Sequence, residues 1–275
     1  MAKYIELNNG RISALIAPYN GGMLTSLKKD GTEILSLDKN SLDVAPMLSG
    51  GIPLLFPFAS RTENDTYVYN NKEYAMPFHG LIKNSAFGIK NVTSDEAVLY
   101  IENNELWKEC FYPFDFYLEL KYTLTENGII LDACLENRGE VPLYHSFGFH
   151  PFFKATDKTE VRLFHSCKRE YDYINGKDIA FAPVDMDLSK PWDNVFHTPS
   201  KNGFTFENRK DGYSVIAEAC DELPVLVVCT TLKGAVCVEP WCGIPNTANS
   251  HRFEQTVLPF QKKNYIMELK INTIK

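Results

Sequence analysis

Two side chains in this sequence are of types that move protons near neutral pH, and both sit in stiff, apolar surroundings. Glu239 closes the segment Ala235-Val-Cys-Val-Glu-Pro-Trp241. On a strand it shares a face with Cys237 and Ala235. A carboxylate there loses part of its water, which raises its pKa toward a value useful to a general base. The alternative is a glutamate emerging into solvent at a strand end. His150 lies between Phe149 and Pro151-Phe-Phe153 and is one of six histidines, with His79, His145, His165, His197 and His251. Aromatic neighbours and a proline hold such an imidazole rigidly, although a lone histidine is more often structural than catalytic.

Around these stand candidate binding groups. Arg61 ends Phe56-Pro-Phe-Ala-Ser-Arg61 after an apolar strand. Its planar fork of donors suits hydroxyl-rich ligands, and a plain surface arginine fits the segment equally well. His79 lies in Met76-Pro-Phe-His-Gly80. Asp193, in Pro191-Trp-Asp-Asn-Val-Phe196, either accepts from hydroxyls or starts a turn.

Other chemistries find no support. His145 and His150 are an odd number of residues apart, so on a regular strand they face opposite ways. A bulge at Gly148 would rescue the pair, but no third ligand is nearby, and H-E-x-x-H and cysteine quartets are missing, so no metal site is expected. There is no G-x-S-x-G elbow, phosphate-binding glycine loop or dinucleotide fingerprint, so no cofactor is expected.

The elements that must position these residues read as strands. Asn9-Gly10, Asn20-Gly21, Asp30-Gly31, Asn127-Gly128, Asn175-Gly176, Asn202-Gly203 and Asp211-Gly212 are all dipeptides that favour tight hairpin turns. Between them, Leu118, Leu120, Tyr122 and Leu124 alternate with polar residues, and Ile129, Leu131, Ala133 and Leu135 continue on one face. The runs 224–229 and 235–238 are continuously apolar and read as central strands covered on both faces. Glu105 to Phe111 is a candidate short helix ended by Pro113. No linker, repeat or low-complexity stretch divides the chain, so one all-β domain over residues 1–275 is the expectation.

Composition limits the partners. The 275 residues are 44% hydrophobic and 23% charged, which suits a soluble globular protein with ample core. The net charge of −7 and the lack of a basic stripe argue against nucleic acid. No apolar run is long enough for a bilayer, and the opening lacks a signal-peptide pattern, so a cytoplasmic location and no membrane partner are expected. The seven cysteines contain no C-x-x-C pair, and without export disulfides are not expected. Two glycosylation patterns, Asn64-Asp65-Thr66 and Asn91-Val92-Thr93, then carry no meaning.

Taken in order, the segments resemble the galactose mutarotase (aldose 1-epimerase) family, especially its LacX-like branch. The likeness runs through 12–35, Gly51-Ile-Pro-Leu-Leu-Phe-Pro57 to Arg61, Phe78-His-Gly80, Asn137 to Gly148-Phe-His-Pro-Phe-Phe153, and Cys237-Val-Glu-Pro-Trp241. The resemblance implies a large antiparallel β-sandwich with a sugar cleft on one face. It implies His150 as general acid and Glu239 as general base, with Arg61, His79 and Asp193 binding the sugar. The implied activity is interconversion of the α and β anomers of an aldohexose. The alternatives are a hexose-6-phosphate mutarotase and a non-catalytic sugar-binding sandwich. Two positions depart from the family pattern. Lys83 stands where arginine is common, and Asn246-Thr-Ala-Asn249 replaces residues that are often acidic.

Overall fold

The computed structural model describes residues 4–38, 50–182 and 186–274. Strict alternation builds its central hairpin. Buried and half-buried residues alternate along Phe116–Thr125 and again along Gly128–Asn137. The two strands pair antiparallel from Thr125↔Gly128 to Phe116↔Asn137. This sends Leu118, Leu120, Tyr122, Leu124, Ile129, Leu131, Ala133 and Leu135 into the core, as the period of two requires.

This hairpin belongs to a 14-stranded sheet. Along its main path lie Leu54–Leu55, Gly148–Phe149, Ala235–Trp241, Val225–Cys229, Asp193–Asn208, Tyr213–Ala219, Lys262–Thr273, Gly128–Asn137, Phe116–Thr125, Glu96–Glu102 and Gly88–Val92. A four-stranded sheet formed by Ile5–Asn8, Ile12–Ala17, Met23–Lys29 and Thr32–Glu33 covers part of one face. The Tyr122 hydroxyl donates to the Gly22 carbonyl at 2.7 Å across the junction of the two sheets. The fold is therefore an antiparallel β-sandwich, as the sequence leads one to expect. Among the described residues no helix is long and apolar enough to cross a membrane.

The turn dipeptides mark chain reversals with one exception. Asn202-Gly203 lies inside the 16-residue strand Asp193–Asn208. Here the strand changes partner, from Val225–Cys229 on one side of the break to Tyr213–Ala219 on the other. Gly203 has φ +115°, and a Cβ there would meet the Ala217 carbonyl oxygen at 2.1 Å. The glycine serves a kink within a strand. The short helix forms at Glu105–Cys110, where the Asn104 side chain accepts from the Trp107 backbone N–H, a standard N-cap.

The runs read as central strands are Val225–Cys229 and Ala235–Trp241, nearly all buried. Their two faces go to different places. Leu226, Val228, Val236 and Val238 join the main core. Val225, Val227 and Trp241 form a separate small cluster with Leu55 and Val195, and Ala235 and Cys237 form another with Phe152. The second face is therefore sealed from the main core and floors a cavity.

Candidate active site

Strand register assembles that floor. Across adjacent antiparallel strands the paired residues are Asp193↔Cys229, Val195↔Val227, Cys229↔Cys237, Val227↔Glu239, Val225↔Trp241 and Cys237↔Phe152. Directly paired residues project to the same side. One face thus carries an acid, two thiols, a second acid and an indole. With segments of the Pro53–Asn84 and His150–Phe152 regions they line a cavity of 540 Å³, within the range of small-ligand sites.

Glu239 is 2% exposed, so it is not a strand-end glutamate reaching solvent. Burial first, then the Cys229 thiol and the Asp193 carboxyl, push its carboxyl well above the usual range. His150 enters from the neighbouring strand edge, where its backbone N–H donates to the Pro53 carbonyl at 3.0 Å. Its ring stacks on Phe152, with centroids 4.4 Å apart and planes at 5°. His150 Nε2 lies 3.2 Å from Glu239 Oε2, yet Oε2 has no hydrogen-bond partner among the described residues, nor does the Trp241 Nε1. Burial pushes the His150 pKa down to about 3. The same apolar walls that fix the ring strip water from its cation. Burial thus disfavours the charged form of both groups.

His79 stands beside them, its ring centroid 5.2 Å from that of His150 and 6.0 Å from that of Trp241. Its Nδ1 accepts from the Ser60 backbone N–H at 3.0 Å, which leaves Nε2 to carry the proton as a donor. Burial holds its pKa at about 2, so it stays neutral. Arg61 and Lys83 both lie over the Phe78 ring, at 4.6 and 5.0 Å from its centroid. Arg61 also meets Asp65 at 3.4 Å, a solvent-exposed pair of little strength. Asp193 is set in place through its neighbour. The Trp192 N–H donates to the Thr230 hydroxyl at 2.8 Å, and the Thr230 N–H returns to the Trp192 carbonyl at 3.0 Å.

All five singled-out residues, His150, Glu239, Arg61, His79 and Asp193, line this one cavity. His145 does not. It ends the separate strand Leu143–His145, is fully buried in the core and meets the Tyr265 hydroxyl at 2.5 Å. Sequence reasoning passed over Phe78, Phe152 and Trp241 as walls, and Cys229 with Cys237 as a facing pair. Cys237 and Trp241 share the strand face of Glu239 by the period of two, whereas the facing of Cys229 and Cys237 depends on strand register. His150 Nε2, Cys237 Sγ and a Glu239 carboxylate oxygen lie within 4.8 Å of one another, a cluster in which His145 has no part.

The departure at Asn246 has a structural role. Its backbone N–H donates to the Arg61 carbonyl at 2.9 Å. Its side-chain oxygen accepts from the Glu63 N–H and from the Asn249 amide, each at 2.9 Å. The amides that replace acids therefore tie down the loop that carries Arg61.

The fold, with Glu239 and His150 in a cavity on one sheet face, is that of the galactose mutarotase-like β-sandwiches. A galactose mutarotase-like protein from Lactobacillus casei superposes with a TM-score of 0.84 at 18% identity, over 98% of this chain and 100% of that one. The Slr1438 protein from Synechocystis sp. PCC 6803 superposes with a TM-score of 0.91 at 22% identity, covering 98% and 96%. The uncharacterized protein YphB of Escherichia coli is 22% identical over 222 residues, 74% of this chain and 73% of that protein. The profile of the aldose 1-epimerase family matches residues 3–269. The chain belongs to the aldose 1-epimerase family.

Proposed function

We propose that the protein is a mutarotase that interconverts the α and β anomers of an aldohexose. The observation that carries this reading is the Glu239–His150 pair, 3.2 Å apart in a cavity with donors and acceptors around it. Glu239 takes the proton of the anomeric hydroxyl. His150 gives one to the ring oxygen, the bond between that oxygen and C1 breaks, and the open aldehyde forms. Rotation about the C1–C2 bond turns the other carbonyl face inward, and the same groups run in reverse. No electrons are exchanged, and the proton count of enzyme plus sugar is unchanged.

The protonation states follow from the ligand. Alone, burial favours the neutral form of each. A sugar hydroxyl donating to the unpartnered Glu239 Oε2 favours the carboxylate, and a ring oxygen accepting from His150 favours the imidazolium. Binding thereby moves the shared proton to the side from which ring opening needs it. His79 Nε2, Arg61 and Asp193 hold the remaining hydroxyls, with Trp241 as an apolar wall.

The test is polarimetry on fresh α-glucose and α-galactose. Glu239→Gln and His150→Gln each lose on the order of a hundred- to ten-thousand-fold in rate, the usual weight of one proton-transfer group, while circular dichroism is unchanged. A near-wild-type rate in either variant removes that residue from the mechanism. Sugar affinity without accelerated exchange makes the protein a binder.

A second reading, a hexose-6-phosphate mutarotase, draws support from the two cations that share the Phe78 ring at the cavity wall. Lysine holds phosphate as a point charge and not bidentately. Comparing rates on glucose and glucose 6-phosphate separates the two substrates.

A further inference from the structure

We infer that Cys229 and Cys237 form a redox-reactive pair in the cavity wall, which a hydroperoxide converts to a cross-strand disulfide beside Glu239. They are directly opposed on neighbouring antiparallel strands. Opposed residues of such a ladder have Cα atoms about 4.5 or 5.5 Å apart, and both values fall within the separation a disulfide spans. Their side chains leave the sheet on the same side, and both line the cavity. The other strand cysteines lack this arrangement. Cys134 faces Glu119 and Asn264 across its strands, and Cys167 faces Pro199.

The two thiols differ in a way that suits sequential chemistry. Cys237 is 1% exposed, whereas Cys229 is only partly covered and faces the cavity. Cys229 Sγ lies 3.2 Å from the Thr231 hydroxyl. The Lys158 ammonium, which donates to the Thr230 and Leu232 carbonyls, adds a favourable positive charge beside both sulfurs. Asp193, paired with Cys229 on its other flank, opposes that charge. The neighbouring Cys237 and then the Thr231 hydroxyl hold the Cys229 thiol down at about 6, while burial pushes Cys237 well up. Cys229, open to the cavity, therefore attacks and the buried Cys237 resolves.

The chemistry closes in two steps. The Cys229 thiolate attacks a hydroperoxide oxygen, the O–O bond breaks, and the leaving alkoxide or hydroxide takes up a proton. Cys229 is then a sulfenic acid. The Cys237 thiol attacks its sulfur, the S–O bond breaks, and the oxygen leaves as water with the Cys237 proton. Two thiols are oxidised to one disulfide, and the hydroperoxide is reduced to water and an alcohol, or to two waters when it is hydrogen peroxide.

The consequence for rate rests on the mutarotase reading. The negative charge of the Cys229 thiolate is among the causes that raise the Glu239 carboxyl. A neutral disulfide withdraws that charge and ties down the strand two residues from Glu239, so the oxidised protein is the slower catalyst. A sugar in the cavity covers Cys229 and slows the oxidation.

The experiment treats the reduced full chain with limiting hydrogen peroxide, blocks remaining thiols with N-ethylmaleimide, and maps unreduced peptides by mass spectrometry. The expected product is a linked pair of peptides containing Cys229 and Cys237, two hydrogens lighter and restored by dithiothreitol. In Cys237→Ser the reaction stops at a Cys229 sulfenic acid that dimedone traps. The inference is overturned if both cysteines remain blockable when the exposed Cys110 is already oxidised, or if Cys229 links to another cysteine. Polarimetry of the reduced protein tests the mutarotase reading separately. A bond without any mutarotation leaves the thiol pair standing and removes the enzyme, whereas mutarotation without a bond removes the thiol pair alone.

Discussion

Glu239 and His150 face each other with water largely excluded, and burial pushes both toward their neutral forms. The sign of each shift sets a pH profile. The imidazole resists a second proton until pH falls toward about 3. The carboxyl resists losing its proton until well above its ordinary 4.5. Across the interval the pair holds one proton, and kcat/KM reports such groups in the free enzyme. The expected profile is therefore level from neutral pH down through 6.5, the ordinary imidazole value. Initial mutarotation rates, corrected for the buffer reaction and with circular dichroism at each pH, check it. A half-maximal point near 6.5 would show that His150 titrates freely and is not held against Glu239. The types of these residues were readable in the sequence, since a histidine among aromatics and a glutamate closing an apolar strand are local facts. Their protonation was not readable, because it depends on walls such as Phe152 and Trp241 brought from other strands.

Strands supply position, and here the sequence was informative where periodicity was long and unbroken. The hairpin 116–137 and the paired runs ending in Cys229 and Trp241 follow directly from alternation and continuous apolarity. Asn202-Gly203 misled because a glycine at positive φ serves a strand kink as well as a hairpin. Register was not legible, and it is register that sets Val227 opposite Glu239 and Cys229 opposite Cys237. Close approach was equally hidden. A Cβ at Gly148 would lie 2.4 Å from Trp241 Cδ1, so Gly148→Ala displaces the indole wall, and KM for the sugar is expected to rise with the fold kept. The Arg61 loop gives a sharper test. Asn246 has φ 62° and anchors the loop through its side chain. Asn246→Gly keeps the backbone free and loses the bond from Glu63, about 1 kcal/mol. Asn246→Ala adds a left-handed cost of about 1 kcal/mol or more. Urea unfolding is expected to rank wild type above Gly above Ala, with KM rising in both variants. Equal stability for all three would show that Asn246 does not anchor the loop.

At the scale of the whole molecule, burying so many neutral imidazoles links stability to pH. Burial holds His79 at about 2, His145 and His150 at about 3 and His165 at about 4, against an ordinary 6.5. A lowered folded pKa means that the unfolded chain takes up protons first as pH falls. Stability from these groups is fully present above pH 6.5 and is lost progressively toward pH 3. Glu239 works in the opposite direction, because its raised folded pKa lets the folded chain hold a proton that the unfolded chain has released above 4.5. Asp132, Asp193 and Glu254 are raised as well, and His197 is lowered with the other four histidines; the histidines outweigh the carboxyls and leave a net uptake of at least one proton on unfolding near pH 5. Each such proton is a slope of about 1.4 kcal/mol per pH unit. The urea midpoint is therefore expected to fall steadily between pH 7 and 4.5. His145 assigns the slope to burial and not to the catalytic pair, since it sits in the core away from the cavity, against Tyr265. His145→Gln removes one titrating ring while keeping a polar partner for the Tyr265 hydroxyl, and it should make the decline shallower by about one proton's worth. A midpoint that stays flat to pH 4.5 in the wild type would mean that these imidazoles take up protons without unfolding the sandwich, and the neutral Glu239–His150 pair would lose its physical basis as well.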